Sequence, residues 1–157
     1  MNTKETSNFQ ILKEELTKLS VAEEWDEVRQ EWELGDVYYD YDFSTCLCTH
    51  YPIMEICVIT NILNGTQAEV GNHCVNHFLK MEVSTIFDGL RRIRENNSAA
   101  CNKSLANHAY NKKWINDWEL KFLYSTALKR KPSQKQHNKR VQINETILKR
   151  VHKPKEY

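Results

Sequence analysis

Long apolar runs are missing from this chain. No stretch approaches the roughly 18–20 residues that a bilayer-spanning helix needs, so no membrane partner is expected. The opening Met1-Asn2-Thr3-Lys4-Glu5-Thr6 has no apolar core and does not read as a secretory signal. Glycine and proline are scarce, 4 and 3 in 157 residues, which predicts a regular, helix-rich chain. There is no internal repeat, no low-complexity segment, no Gly-rich phosphate loop, and no serine or cysteine nucleophile with a matched base. Net charge is almost absent too, with 22 Lys+Arg against 21 Asp+Glu. These absences leave a soluble, cytoplasmic protein of one compact domain, long enough to bury a core without staples.

The small net charge hides a gradient. Residues 1–45 carry net −8, residues 46–101 net −1, and residues 102–157 net +10. An acidic start and a basic end in one chain suggest an anionic partner for the end, or two faces that attract each other within the fold.

Periodicity places the elements. Phe9, Leu12, Leu16 and Leu19 share one face of a first helix. Ser20-Val21-Ala22-Glu23 has the capping-box pattern, and a second helix should carry Trp25, Val28 and Trp32 on one stripe and stop at Gly35. Val37 to Phe43 reads as a strand, and Ile56 to Ile62 as another. Asn64-Gly65 predicts a type I′ hairpin turn, with a return strand over 66–70. A short helix should follow over His73–Lys80. Ser84 can cap a helix with Ile86, Phe87, Leu90 and Ile93 inward. A short helix is expected over Lys103–Tyr110, then one with Trp114, Trp118 and Phe122 at i, i+4 and i+8, stopped by Pro132. Ser133 to Gln136 fits a second capping box, opening a last helix with Val141, Ile143, Ile147, Leu148 and Val151. The fold class is therefore α+β and helix-rich: acidic N-terminal helices over 1–36, a hairpin and helix over 37–82, and a helical region with a basic last helix over 83–157.

The chemistry-bearing residues are the cysteines Cys46, Cys48, Cys57, Cys74 and Cys101. An odd count, no secretory signal and the tight Cys46-Leu47-Cys48 spacing argue against a disulfide framework. Zinc favours four soft ligands in a tetrahedron. Cys46 and Cys48 on a turn supply one edge. Cys57 on the neighbouring strand supplies a third ligand, and Cys74 in the first turn of a helix a fourth. His50, His73 and His77 compete for the fourth place. Knuckle, hairpin and helix in that order is the logic of a treble-clef site holding one structural zinc. Cys101 reads as structural.

The run Cys46-Leu-Cys-Thr-His-Tyr-Pro-Ile-Met-Glu-Ile-Cys-Val-Ile-Thr-Asn, then Asn64-Gly65, then Val70-Gly-Asn-His-Cys-Val-Asn-His-Phe78, resembles small zinc-finger-like proteins of bacteriophages and prophages. The C-terminal Trp114-Ile-Asn-Asp-Trp-Glu119 and Ser133-x-x-Gln136 fit the same pattern, so the resemblance spans roughly residues 25–148. Thr49 stands where that pattern has glycine. Most such proteins have no known activity, so the resemblance implies zinc, a phage-type origin and a bacterial host cytoplasm rather than a reaction.

Three functions compete. The first is a nucleic-acid-associated binding module. Its contacts would be Lys129, Arg130, Lys131, Lys135, Lys139, Arg140, Lys149 and Arg150, because clustered cations give sequence-independent, salt-sensitive phosphate binding. The second is a phage effector directed at a host nucleic-acid enzyme or defence complex, inhibiting or redirecting it. It would use a negative face of Glu23, Glu24, Asp26, Glu27, Glu31, Glu33, Asp36, Asp40 and Asp42. The third is a metal-dependent nuclease built on His73, Asn76 and His77. It is disfavoured because four thiolates would leave no open metal position for water. No enzyme is expected.

Overall fold

A computed structural model describes residues 7–76, 78–79 and 83–152. The architecture is α+β, in two compact units.

The first unit spans residues 7–79. Helix α1 (Ser7–Lys18) buries Leu12 and Leu16, two members of the predicted apolar stripe. The expected long second helix is cut short. Only α2 (Trp25–Val28) and a 3₁₀ turn (Arg29–Glu31) form before β1 (Trp32–Ser44) begins. Competing hydrogen bonds explain the change. Ser20 Oγ donates to Leu16 O instead of capping a new helix, and it accepts from Trp32 Nε1 at 2.8 Å. The buried Glu31 carboxylate accepts from the backbone amides of Val21 and Ala22, both at 2.8 Å, and from Asn61 Nδ2 at 3.0 Å. Three donors converging on one carboxylate fix the chain where a helix would have continued. Gly35 is not a helix stop; it lies at a β-bulge between Leu34 and Asp36. A Cβ there would stand 3.2 Å from Val58 O, so the strand needs glycine for this approach.

β1 pairs antiparallel with β2 (Ile53–Asn61), and β2 with β3 (Gln67–Gly71), giving the order β1-β2-β3. Val37 and Val70 lie opposite Cys57. The hairpin loop is wider than a two-residue type I′ turn. Asn61 N donates to Thr66 O and Gly65 N to Asn61 O, and only Gly65 takes positive φ, +75°. The Asn61 carboxamide, accepting from Leu63 N and Asn64 N, builds this larger turn. After Gly71 comes a single helical turn, α3 (Asn72–Val75), shorter than expected. Trp25 packs edge-on against Phe9 and Phe78.

The second unit, within residues 83–152, is helical: α4 (Val83–Glu95), α5 (Lys103–Asn111), α6 (Asp117–Thr126) and α7 (Gln134–Arg150). Its core is Phe87, Leu90, Ile93, Leu105, Leu123, Ile143 and Ile147. Each such side chain contributes about 1.5–3 kcal/mol when fully buried. The Ser133–Gln136 capping box forms as expected, and a second one forms between Asn116 and Glu119. Trp114 precedes α6 instead of joining it. The chain breaks at Lys113, whose φ is +61°, and Trp114 turns edge-on to His108.

Candidate metal centre

Three thiols meet in the first unit. The turn after β1 folds on itself, with Cys46 N donating to His50 O at 2.9 Å and Thr49 N to Cys46 O at 2.8 Å. Leu47 N reaches Glu69 O on β3, so the knuckle is tied to the far strand of the sheet. Thr49 is held at φ +73°, a left-handed conformation that suits glycine better than a β-branched residue. Gly71 then turns β3 into α3, which carries Cys74. The sulfurs of Cys46, Cys48 and Cys74 all lie within 4.8 Å of one another, and all three residues are buried. Cys48 and Cys74 Sγ are 3.3 Å apart.

Backbone and side-chain N–H groups already face these sulfurs. Gly71 N donates to Cys46 Sγ at 3.2 Å, and Asn8 Nδ2 to Cys48 Sγ at 3.8 Å and Cys48 O at 3.1 Å. The Cys46 thiol is lowered to about 5, first because the Cys74 thiol donates to it and then because the Gly71 amide does, against the cost of burial. Cys74 is pushed up for the matching reason: its proton serves Cys46, and burial disfavours a second charge. A divalent cation at the centre would ease that conflict by stabilising the thiolate forms. A zinc–sulfur bond of about 2.3 Å in a tetrahedron requires sulfurs about 3.8 Å apart, a spacing these three can reach with small rotations. The cluster can hold a metal ion.

A cavity of about 480 Å³ adjoins the sulfurs. His50 and His73 stand on its wall and are exposed. Asn72 also lines it, with a buried Oδ1 that no donor meets among the described residues. Neither imidazole belongs to the group of close sulfurs, so the fourth position has no protein ligand among the described residues. His77, the other alternative from the sequence, lies outside the described residues, as does the end of the helix expected to reach Lys80.

Cys57 is not part of the cluster, contrary to the expectation that it would be a ligand. It sits in the middle of β2, fully buried between Val37 and Val70. Burial, and then the charges of Glu55 and Cys46, push its thiol up. It acts as a small apolar side chain in the sheet. Cys101 is likewise buried in the second unit, where burial raises its thiol to about 12.

Of the expected phosphate contacts, Lys129, Arg130, Lys131, Lys135, Lys149 and Arg150 are exposed, on α7 or the loop before it. Lys139 is partly covered, 3.9 Å from Glu119 Oε2 and 5.4 Å from the Trp118 ring centroid. Arg140 must be withdrawn from the list. Only 6% exposed, it turns inward and donates to Thr126 O and, at 3.4 Å, to Ser98 O. The acidic set is likewise reduced, because Glu31 and Asp40 are buried.

Trp118 and Phe122 share a face of α6, as their i, i+4 spacing predicts. They stack on each other at 5.4 Å and 16°, with Trp118 59% exposed. Spacing showed that they share a helix face but carried no signal that the face looks outward. Among the described residues no helix is long and apolar enough to cross a membrane. Comparison with protein-family models, curated proteins and solved structures gives no match.

Proposed function

We propose that this chain is a small zinc-stabilised binding module of phage type that associates with nucleic acid through its basic C-terminal region. The observation that carries the reading is the set of six exposed cations on α7 and the preceding loop, none of which meets a carboxylate among the described residues. Surface cations without carboxylate partners, along α7 and the loop before it, favour a polyanion, since each phosphate neutralised releases a condensed counterion. Zinc suits the donor set: three thiols in a buried cluster are soft ligands, and His50 and His73 line the adjoining cavity. Its role would be to pin the knuckle to α3 rather than to activate water. No enzymatic step belongs to this reading.

Elemental analysis of the purified chain should give about one zinc per molecule. Anisotropy with labelled DNA and RNA at low salt should show binding whose logarithm falls linearly with log salt. The slope should be about −3 to −5 for four to six phosphate contacts. Reversal of Lys135 or Lys149 to glutamate should flatten that slope by roughly 1 each. No affinity for any nucleic acid at low salt would sink the nucleic-acid reading; zinc-free protein never exposed to chelator would sink the metal.

A second reading has one observation in its favour. In the first unit Val21, Ile62 and Leu63 are exposed and line a depression with Glu27. An apolar patch with an acidic rim suits a basic protein surface, in line with an effector that binds a host complex. Pull-down from a bacterial lysate with and without nuclease separates the two, because only a protein-directed partner survives digestion.

A further inference from the structure

We infer that the groove between α6 and α7 is a base-stacking site, so that the nucleic acid this chain binds is single-stranded; the inference rests on the nucleic-acid reading above. Trp118 and Phe122 are one turn apart on α6 and their rings stack, with Trp118 exposed and Phe122 half-buried. Opposite them, Lys135, Lys139 and Gln142 recur at spacings of four and three along α7, which puts them on one flank. These side chains enclose an open groove of about 480 Å³, within the usual range for a small-ligand cleft (about 300–1,000 Å³). Two aromatic rings and two lysines are among its lining residues.

That combination selects its occupant. The exposed Trp118 ring, backed by Phe122, offers an aromatic surface on which an unpaired base can stack. A duplex has no free base faces to offer, only edges and phosphates. An uncharged apolar peptide would leave the two lysines unused. Lys139 is the group in contact with both features: its ammonium lies 5.4 Å from the Trp118 centroid, 3.9 Å from Glu119 Oε2 and 3.3 Å from Gln142 Oε1. A phosphate following a stacked base would replace the long Glu119 contact. Lys129 continues the rim, with Nζ 3.3 Å from Oε1 of Gln136, which also lines the groove. The backbone of a strand thus has cations to follow from the groove onto the loop before α7.

The test uses the full chain and three labelled probes of equal length at low salt: an oligothymidylate 12-mer, a 12-base-pair duplex, and an abasic 12-mer with the same phosphates. The thymidylate should bind at least tenfold tighter than the abasic strand and quench Trp118 fluorescence. Trp118→Ala should weaken thymidylate binding about 5- to 150-fold, the range one stacked base supplies, and leave abasic and duplex binding unchanged. Trp118→Phe should recover part of the loss, which a folding defect would not permit. If all three probes bind the wild type alike and Trp118→Ala binds as the wild type does, base stacking is overturned while phosphate binding stands. If no probe binds, both readings fall together.

Discussion

Replacing Arg140 by alanine separates a structural cation from the set proposed to contact phosphate. Its guanidinium donates to the Thr126 carbonyl and, over 3.4 Å, to that of Ser98, and the residue is 6% exposed. A hydrogen bond from a charged donor contributes about 1.5–3 kcal/mol, and the longer contact about 0.5–1 kcal/mol. Burial of the aliphatic stem adds about 1 kcal/mol. The variant should therefore lose roughly 3–5 kcal/mol. For a helical unit of this size that lowers Tm by at least about 12 °C, at about 4–8 °C per kcal/mol. Urea unfolding followed by circular dichroism measures the loss. Arg140→Met, which keeps the stem, should recover about 1 kcal/mol of it. Below the lowered Tm, nucleic-acid affinity per folded molecule should stay within about twofold of wild type, because the guanidinium already serves two carbonyls. A variant as stable as wild type with a tenfold loss of affinity would refute the inward role and return Arg140 to the contact surface.

Five other substitutions have defined outcomes. Cys74→Ala should abolish metal uptake at the cluster, with zinc as the probe in elemental analysis, whereas Cys57→Ala should keep it at the wild-type level, since Cys57 lies in the sheet and outside the thiol cluster. Thr49→Gly should stabilise by about 0.5–1 kcal/mol in urea titration: relief of the left-handed cost, about 1–2 kcal/mol, exceeds the added chain entropy, about 0.5–1 kcal/mol; destabilisation would count against the knuckle geometry. Gly89→Ala places a Cβ 2.7 Å from Asn102 Oδ1, the N-cap acceptor of α5, whose Nδ2 also donates to Thr85 O. The helix-propensity gain of about 1 kcal/mol is outweighed by a lost cap and a lost bond, about 1 kcal/mol each, and the penalty should vanish in an Asn102→Ala background. Burial would raise the Glu31 carboxyl, yet bonds from Asn61, Val21 and Ala22 hold it below its ordinary 4.5. The unfolded chain then takes up the proton first, so the stability from Glu31 is complete above about 4.5 and disappears as pH falls through the lower folded value. Glu31→Gln should flatten that acid limb, and an unchanged limb would argue against the carboxylate node.

Local patterns were legible where local forces decide. The Ser133 capping box, the apolar stripe of α4 and the Cys-x-Cys knuckle each depend on residues within one turn of each other, and each formed. Cys74 was also legible, because Gly71-Asn72 announces the turn that delivers it. Elsewhere a distant partner decided. Ser20 had a capping pattern, but the Trp32 indole, twelve residues on, took its hydroxyl. Cys57 fitted a ligand set in one dimension, yet its strand position lies between two valines. Arg140 was misread although a signal existed: with Ile143, Asn144, Ile147 and Val151 it falls on the buried stripe of α7 at helical spacing. Counting its charge ignored that position. Asn144 on the same stripe bonds the carbonyls of Asn97 and Ala99, so the inward face of α7 is partly polar.

The Gly71 amide has a double attachment. It closes β3, where Gly71 lies opposite Ile56, and its proton rests on the Cys46 sulfur. Any cation that draws electron density from that sulfur must shift this one backbone resonance, making it an internal gauge of occupancy. The same bond joins two rates. Fraying of the last residue of β3 takes this donor from the sulfur, so an ion that holds the cluster together should slow solvent exchange at Gly71.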